Sequence, residues 1–412
     1  MSTTLTGRRS GFSQTGLSRL HDMLARHVES GKIPGLVALV SRGDQTHVEA
    51  IGTMRHDGGA PMRRDTIFRM ASVSKPVTMA AAMVLLDECR LRLDDPIDQW
   101  LPELADRQVL KRADGPLEDT VPAQRPITVR DVLTSTFGLG VDLTLMGSPI
   151  MTAVLERSNY DPDAGPAPEP DEWMRRLGEL PLSYQPGQRW QYDLASDLLG
   201  VLVARVTGRP FESFLRERVL EPLGMKDTGF HVPADKIDRL PPVYFPEATG
   251  GFQVWDEAEG GRWSRPPAFP SGGGGLVSTV DDYHAYLRML LDHGTHEGER
   301  ILSRPAVELM TTNRLTPEQN AARTALARDN VHLSFGQGQH GGWGFGMAVR
   351  AYRSDYAPLG QFGWDGGTGT TAYADPHNQL TGVLLTQVGL STPDPARLIH
   401  DFWTTVYQAI DD

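Results

Sequence analysis

The sequence predicts a protein of mixed class, an α/β lobe joined to an all-α lobe. Three observations predict it. Strand-like segments stand near the start, at residues 35–52, and return after about residue 335. The stretch between them reads mainly as helix. Both ends also carry an amphipathic helix, at residues 16–30 and near 396–410. The simplest packing puts both chain ends into one sheet covered by the terminal helices, with the middle as a separate helical lobe. A cleft then forms between the lobes, a common place for an active site. The expected division is an α/β lobe from residues 1–80 and 310–412, and a mainly helical lobe from 81–309 with long cleft-rim loops.

Each element has a local reason. Leu17, Leu20, Leu24, His27 and Val28 recur at helical spacing, and Gly31 and Pro34 close that helix. "PGLVALVSRGDQTHVEAIG" reads as two strands joined at Arg42-Gly43-Asp44-Gln45. "DLASDLLGVLVARVTG" is a helix ended by Gly208, and Pro210 starts the next. "STVDDYHAYLRMLLDHG" is another helix, with Ser278 or Thr279 as its N-cap. Residues 160–173 and 246–275 are rich in Pro, Gly and Asp and read as long loops. Near the C-terminus "GWGFGMAVR", "YAPLGQFGWDG", "TTAYADP" and "LTGVLLTQ" read as strands, followed by the helix "ARLIHDFWTTVYQAI".

Composition excludes several functions. The net charge of −12 disfavours nucleic acid and anionic membrane surfaces as partners. The single cysteine, Cys89, allows no internal disulfide and reads as a buried small residue. The N-terminus has no apolar core of signal-peptide length, and no stretch of about 18 residues is apolar enough to span a membrane. A cytoplasmic protein with no membrane or nucleic-acid partner is expected.

One short cluster carries chemistry. In "FRMASVSKPVTMAAAMVLL" a serine, Ser72, precedes by three residues Lys75, one of only five lysines. On a helix these two side chains share a face. Burial lowers a lysine's pKa, so Lys75 can act as a base toward the hydroxyl or hold a neighbouring base in its active form. A serine at a helix N-terminus also has free backbone N–H groups beside it for an oxyanion. Pro76 fits a first turn and supports a helix start close to Ser72. The alternative is that Ser72 or Ser74 caps the helix and Lys75 is solvated.

The surrounding residues add a resemblance. "FRMASVSKPVTMAAAMVLLDECRLRLDDPIDQWLPEL", "ITVRDVLTSTFGLG", "PGQRWQYDLASDLLGVLVARVTG" and "PSGGGGLVSTVDDYHAYLRMLL" occur in the order seen in the serine β-lactamase and penicillin-binding-protein superfamily. The likeness is strongest to class C β-lactamases and family VIII carboxylesterases, and spans about residues 17–410. It implies a two-lobed fold with an antiparallel sheet and an inserted helical lobe. It also implies that Ser72 is acylated, that Lys75 activates it, and that Tyr192 is the second-motif tyrosine. Tyr192 would be a base when ionised and a proton donor when neutral, its pKa lowered by a nearby ammonium. The backbone N–H groups of Ser72 and Gly367 would form the oxyanion hole.

The third motif departs from the family pattern. Where β-lactamases have Lys-Thr-Gly, the best candidate is "GWDGGTG", with Trp364 in place of lysine and Gly366 allowing close backbone approach. Leu194 stands where lactamases have an amide-binding asparagine. Both changes favour a neutral ester over a carboxylated lactam, so a short-chain carboxylesterase is expected, without cofactor or metal. Phe137, Leu139, Tyr160, Trp255, Trp263 and Trp364 are candidates to line the substrate cleft, and Asp365 has no assigned role. Rival readings are a β-lactamase or D-amino-acid peptidase, an acyltransferase of the same fold, and a non-catalytic binder. His293 and His296 lie in a glycine-rich segment and read as a solvated loop, not a zinc site. No Gly-x-Ser-x-Gly elbow occurs.

Overall fold

Strands from both chain ends lie side by side in one seven-stranded sheet. The computed structural model describes residues 11–158, 167–247, 250–329 and 341–411. Its main elements are helix α1 (Gln14–Glu29), strands β1 (Gly35–Arg42) and β2 (Gln45–Gly52), and helices α2 (Ser74–Asp87), α3 (Leu194–Thr207) and α4 (Val280–Leu291). Strands β3 (Gly341–Trp343), β4 (Ala348–Arg350), β5 (Phe362–Gly366), β6 (Thr370–Asp375) and β7 (Leu380–Thr386) follow, then helix α5 (Pro393–Gln408). The sheet order is β3-β4-β5-β6-β7-β1-β2, with every neighbouring pair antiparallel. The β7–β1 pair joins the two ends of the chain, with Thr386 opposite Leu36 and Leu380 opposite Arg42.

The run Leu36-Val37-Ala38-Leu39-Val40 is apolar throughout because both faces of β1 are covered. Leu36, Ala38 and Val40 pack with Leu17, Leu20 and Leu24 of α1 and Phe402 and Val406 of α5. Val37 and Leu39 point the other way, into the large core with Met79 and Tyr286. This is the period-two alternation of a strand, hidden because neither face is wet. Helix α2 is buried from Ser74 to Leu85, so it shows no polar stripe. It packs on α3, which Gly208 ends in a left-handed conformation at φ 68.

Three local expectations change. Cys89 is exposed, at φ 56 in the turn after α2, so it is not a core residue. The apolar periodicity had already ended at Leu86, and the chain turns there. The segment 246–275, expected as loop, contributes a strand (Phe252–Asp256) that pairs with Val243–Pro246. An exposed valine, Val254, and a buried aspartate, Asp256, mask the alternation. Helix α4, placed by the expected division in the helical lobe and capped by Thr279, packs on β1, β6 and β7 of the sheet. His284 of α4 bonds to Thr381 of β7 at 2.9 Å. Among the described residues no helix is long and apolar enough to cross a membrane.

Candidate active site

The end of β5 is pressed against the turn that precedes α2. A Cβ on Gly366 would fall 2.4 Å from the Met70 carbonyl oxygen and 3.3 Å from Val73 Cγ2, so glycine is needed there. The Thr368 hydroxyl donates to the Arg69 carbonyl at 2.7 Å and that of Thr370 to the Met70 carbonyl at 3.0 Å. Between these anchors the chain makes one 3-10 turn, Ala71–Val73, before α2 starts at Ser74. Ala71 sits at φ 45, a region that disfavours a Cβ. The turn leaves Ser72 half-buried. No side chain caps α2, and Ser74 is fully buried with its oxygen accepting from the Leu276 N–H at 3.1 Å. The capping alternative for these serines therefore does not hold.

Lys75 is 1% exposed. Its Nζ lies 3.1 Å from Ser72 Oγ, 2.6 Å from the Gly273 carbonyl oxygen and 2.5 Å from Asp193 Oδ1. Those partners fill the three donor positions of an ammonium. The same Nζ is 4.8 Å from the centre of the Tyr192 ring. Tyr192 shares a hydrogen bond with the Ser72 hydroxyl. The Trp364 Nε1–H donates to the Tyr192 oxygen at 2.9 Å. Ser72, Lys75, Tyr192, Trp364 and Gly366 thus converge. Gly367 follows directly, and a Cβ there would meet nothing within 4 Å, so this position borders open space.

Tyr192 arrives by an uncommon backbone path. It pairs with Val141 on one side, while α3 begins at Leu194 on the other. Between them Asp193 has φ 81 and ψ −66, and the Leu194 N–H donates back to the Tyr192 carbonyl at 3.3 Å. This is a γ-turn of the rare, strained hand. It brings both the Tyr192 and the Asp193 side chains to Lys75 Nζ.

Electrostatics overturn one expectation and modify another. Burial alone would pull the Lys75 pKa down, but the Asp193 carboxylate, with Asp197 adding to it, raises it above the ordinary lysine value. Lys75 is therefore a firm ammonium and not a neutral base, because Asp193 sits against it. For Tyr192, burial raises the pKa, and the Lys75 ammonium offsets only part of that rise while Asp193 adds to it. Its resting form is the neutral phenol. Asp197, one turn into α3, is pushed up to about 6 by burial and by Asp193. Its Oδ1 accepts from the Ser271 hydroxyl at 2.7 Å and the Gly273 N–H at 2.9 Å. It thereby holds the glycine segment whose carbonyl takes Lys75. A Cβ on Gly272 would be 2.4 Å from the Ser196 carbonyl, which explains a glycine at the closest approach.

Asp193 and Asp197 escaped the sequence reading. Their signal was two aspartates four residues apart just after the motif tyrosine. The aromatic wall was also only partly anticipated. Trp364 packs edge-on to Trp343 at 4.8 Å, and Trp343 packs on Trp190 at 5.4 Å, in one buried cluster with Tyr192 and Leu315. Phe137 and Leu139 instead lie in the main core, 1% exposed. Leu194, 1% exposed, lies in the same core. Trp255 packs against Trp263 with the rings tilted, and the Trp263 Nε1–H donates to the Gly275 carbonyl at 2.8 Å. Tyr160 lies outside the described residues. Asp365 accepts from the Tyr373 hydroxyl at 3.2 Å within the sheet. His296 stands in a two-residue hairpin strand opposite Glu299.

The chain matches the Beta-lactamase family over residues 20–401. The chain belongs to the beta-lactamase family. Relatives are consistent with this. Protein Rv1367c of Mycobacterium tuberculosis (strain ATCC 25618 / H37Rv) is 41% identical over 368 residues, covering 87% of each chain. Esterase EstB of Burkholderia gladioli is 33% identical over 406 residues, covering 91% of this chain and 92% of its own. The solved structure of EstCE1, described as a hydrolase with promiscuous acyltransferase activity, superposes with a TM-score of 0.78 at 26% identity. That match covers 96% of this chain and 99% of the other. This beta-lactamase family member is thus a serine hydrolase of the β-lactamase fold, with the antiparallel sheet and numerous helices that fold requires.

Proposed function

We propose that this protein is a carboxylesterase that cleaves short-chain esters through an acyl-enzyme on Ser72. The observation that carries this reading is the pairing at the site. The Trp364 indole bonds to Tyr192 where lactamases present a lysine, and the Lys75 ammonium is already bound to Asp193. A lactam carboxylate needs a cation with a free face, and a neutral ester does not. The likeness to Esterase EstB supports the same class of substrate.

The reaction follows from the arrangement. Ser72 Oγ bonds to the acyl carbon while its proton passes to the Tyr192 oxygen. The proton already on Tyr192 passes to the departing alkoxide, so the phenol relays a proton without a standing negative charge. The Lys75 ammonium stabilises charge that develops on either oxygen. The N–H groups of Ser72 and Gly367 receive the carbonyl oxygen as it becomes an oxyanion. Water then repeats the sequence on the acyl-enzyme and frees the acid. An alcohol in place of water gives acyl transfer, a second reading favoured by the likeness to EstCE1.

The test compares hydrolysis of p-nitrophenyl butyrate with opening of a chromogenic cephalosporin, with an added alcohol in a third series. Ester kcat/KM should exceed lactam kcat/KM by roughly a thousandfold. Equal or faster lactam opening would replace the esterase with a β-lactamase. Transester outrunning free acid would make it a transferase.

The ester rate should also carry an acid limb. Asp197, ionising at about 6, is the acceptor that fixes Gly273 and so Lys75. It is ionised above that pH and loses acceptor strength below it. kcat/KM should therefore be flat above about pH 7 and fall below about pH 6. Asp197→Asn should be slower overall and lack that limb. A pH–rate profile of both proteins checks this, and an unchanged limb in the variant would remove Asp197 from the site's titration.

A further inference from the structure

We infer that Asp193 selects substrates by charge, turning away anionic acyl groups and admitting neutral or cationic ones. This holds on the reading above that Ser72 is the acylated serine. The backbone supplies the first reason. Asp193 occupies a γ-turn at φ 81, ψ −66, which glycine would adopt with less strain. A residue bearing a Cβ persists in such a turn when its surroundings over-determine it, and here the side chain does so by meeting Lys75 Nζ at 2.5 Å.

The second reason is which member of the pair faces outward. The Lys75 side chain is 2% exposed and that of Asp193 is 13% exposed. The three donor positions of Lys75 are taken by Ser72, Gly273 and Asp193, so its charge is spent inward. Asp193 is thus the more exposed member of the pair, and its carboxylate lies against the ammonium that touches Ser72. Asp197, buried and tied to Gly273, adds a second carboxylate that acts on Lys75. With Tyr192 neutral, two carboxylates then face one ammonium. Like charges in a partly dry cleft repel, and repulsion is an effective way to exclude a competitor. The missing third-motif lysine leaves an anion unaided, whereas Asp193 opposes it actively. The two effects are separable by mutation.

The experiment uses Asp193→Asn, which keeps the shape and tolerates positive φ. Two probes are titrated against each protein, phenylboronic acid and 4-carboxyphenylboronic acid. Each adds to a serine nucleophile, whose Oγ bonds to boron while its proton leaves to solvent, so binding requires no ester turnover. Wild type should bind the neutral probe roughly tenfold tighter than the anionic one, and Asp193→Asn should close most of that gap. The same shift should appear in KM, not kcat, for p-nitrophenyl esters of butyric acid and of glutaric acid monoacid. The ratio is decisive, because a merely structural loss at Lys75 would slow both esters alike. An unchanged neutral-to-anionic ratio in Asp193→Asn, or equal binding of both probes by wild type, overturns the inference. Failure of the neutral probe to bind wild type, or of the anionic probe to bind Asp193→Asn, overturns it as well. Probes that bind as expected to a protein that does not hydrolyse the butyrate ester would instead overturn the esterase reading and leave the charge selection standing.

Discussion

Ser72→Ala leaves a folded protein whose ester turnover falls on the order of 10⁴-fold or more, the loss seen when a covalent nucleophile is removed. The hydroxyl is the group shared by Lys75, at 3.1 Å, and Tyr192. Its neighbour cannot replace it. Ser74 is fully buried and committed to the Leu276 N–H. The change removes one oxygen from a half-buried position, so the melting temperature should move by only a few degrees. Intact-mass measurement after mixing with an activated ester checks the same point directly. Wild type should gain the mass of the acyl group, and Ser72→Ala should not. Full activity in a folded Ser72→Ala protein would overturn the mechanism.

Lys75→Ala should be nearly as severe on rate and far more severe on stability. The ammonium is the centre of the site, bound to Ser72, Gly273 and Asp193. Removing it leaves the Asp193 carboxylate unpaired beside a buried phenol and opens a cavity under α2. Breaking one partner of a buried ion pair lowers stability by about 3–5 kcal/mol. Turnover should fall on the order of 10³-fold or more, since neither hydroxyl is acidic enough alone. Adding Asp193→Asn to Lys75→Ala should restore part of the stability by removing the stranded charge, and none of the rate. Urea midpoints and ester rates of the three variants measure both effects. A double variant no more stable than Lys75→Ala would show that the ion pair does not govern the fold here. Lys75→Arg should not rescue the rate, because the planar guanidinium cannot fit three partners arranged around a point charge.

Much of the fold could be read from periodicity. The continuous apolar run in β1 and the helical spacing in α1, α3 and α5 follow from which faces must be dry, and dryness leaves a pattern in the chain. The hairpin at 252–256 and the exposure of Cys89 were not legible in that way. A five-residue strand whose exposed residues are Gln253 and Val254 and whose buried end is Asp256 lacks the pattern, and a single residue beyond a helix end has no period to show.

The site divides along the same line. Ser72 and Lys75 were legible because their spacing implies contact across one helical turn, whereas Tyr192 and the glycine at 366 were assigned only by the resemblance to the family. The sequence alone determined the family, the class of chemistry and the lack of a cation at position 364. Tertiary structure decided the charge states. Whether Lys75 is a base or an ammonium depends on the competition between burial and the carboxylate of Asp193, which a strained γ-turn just ahead of α3 brings onto it. The placing of Asp197 behind Gly273 is likewise a matter of three chain segments meeting. Desolvation and Coulomb interaction act through distance in space, and distance in space is the quantity that a linear sequence does not contain.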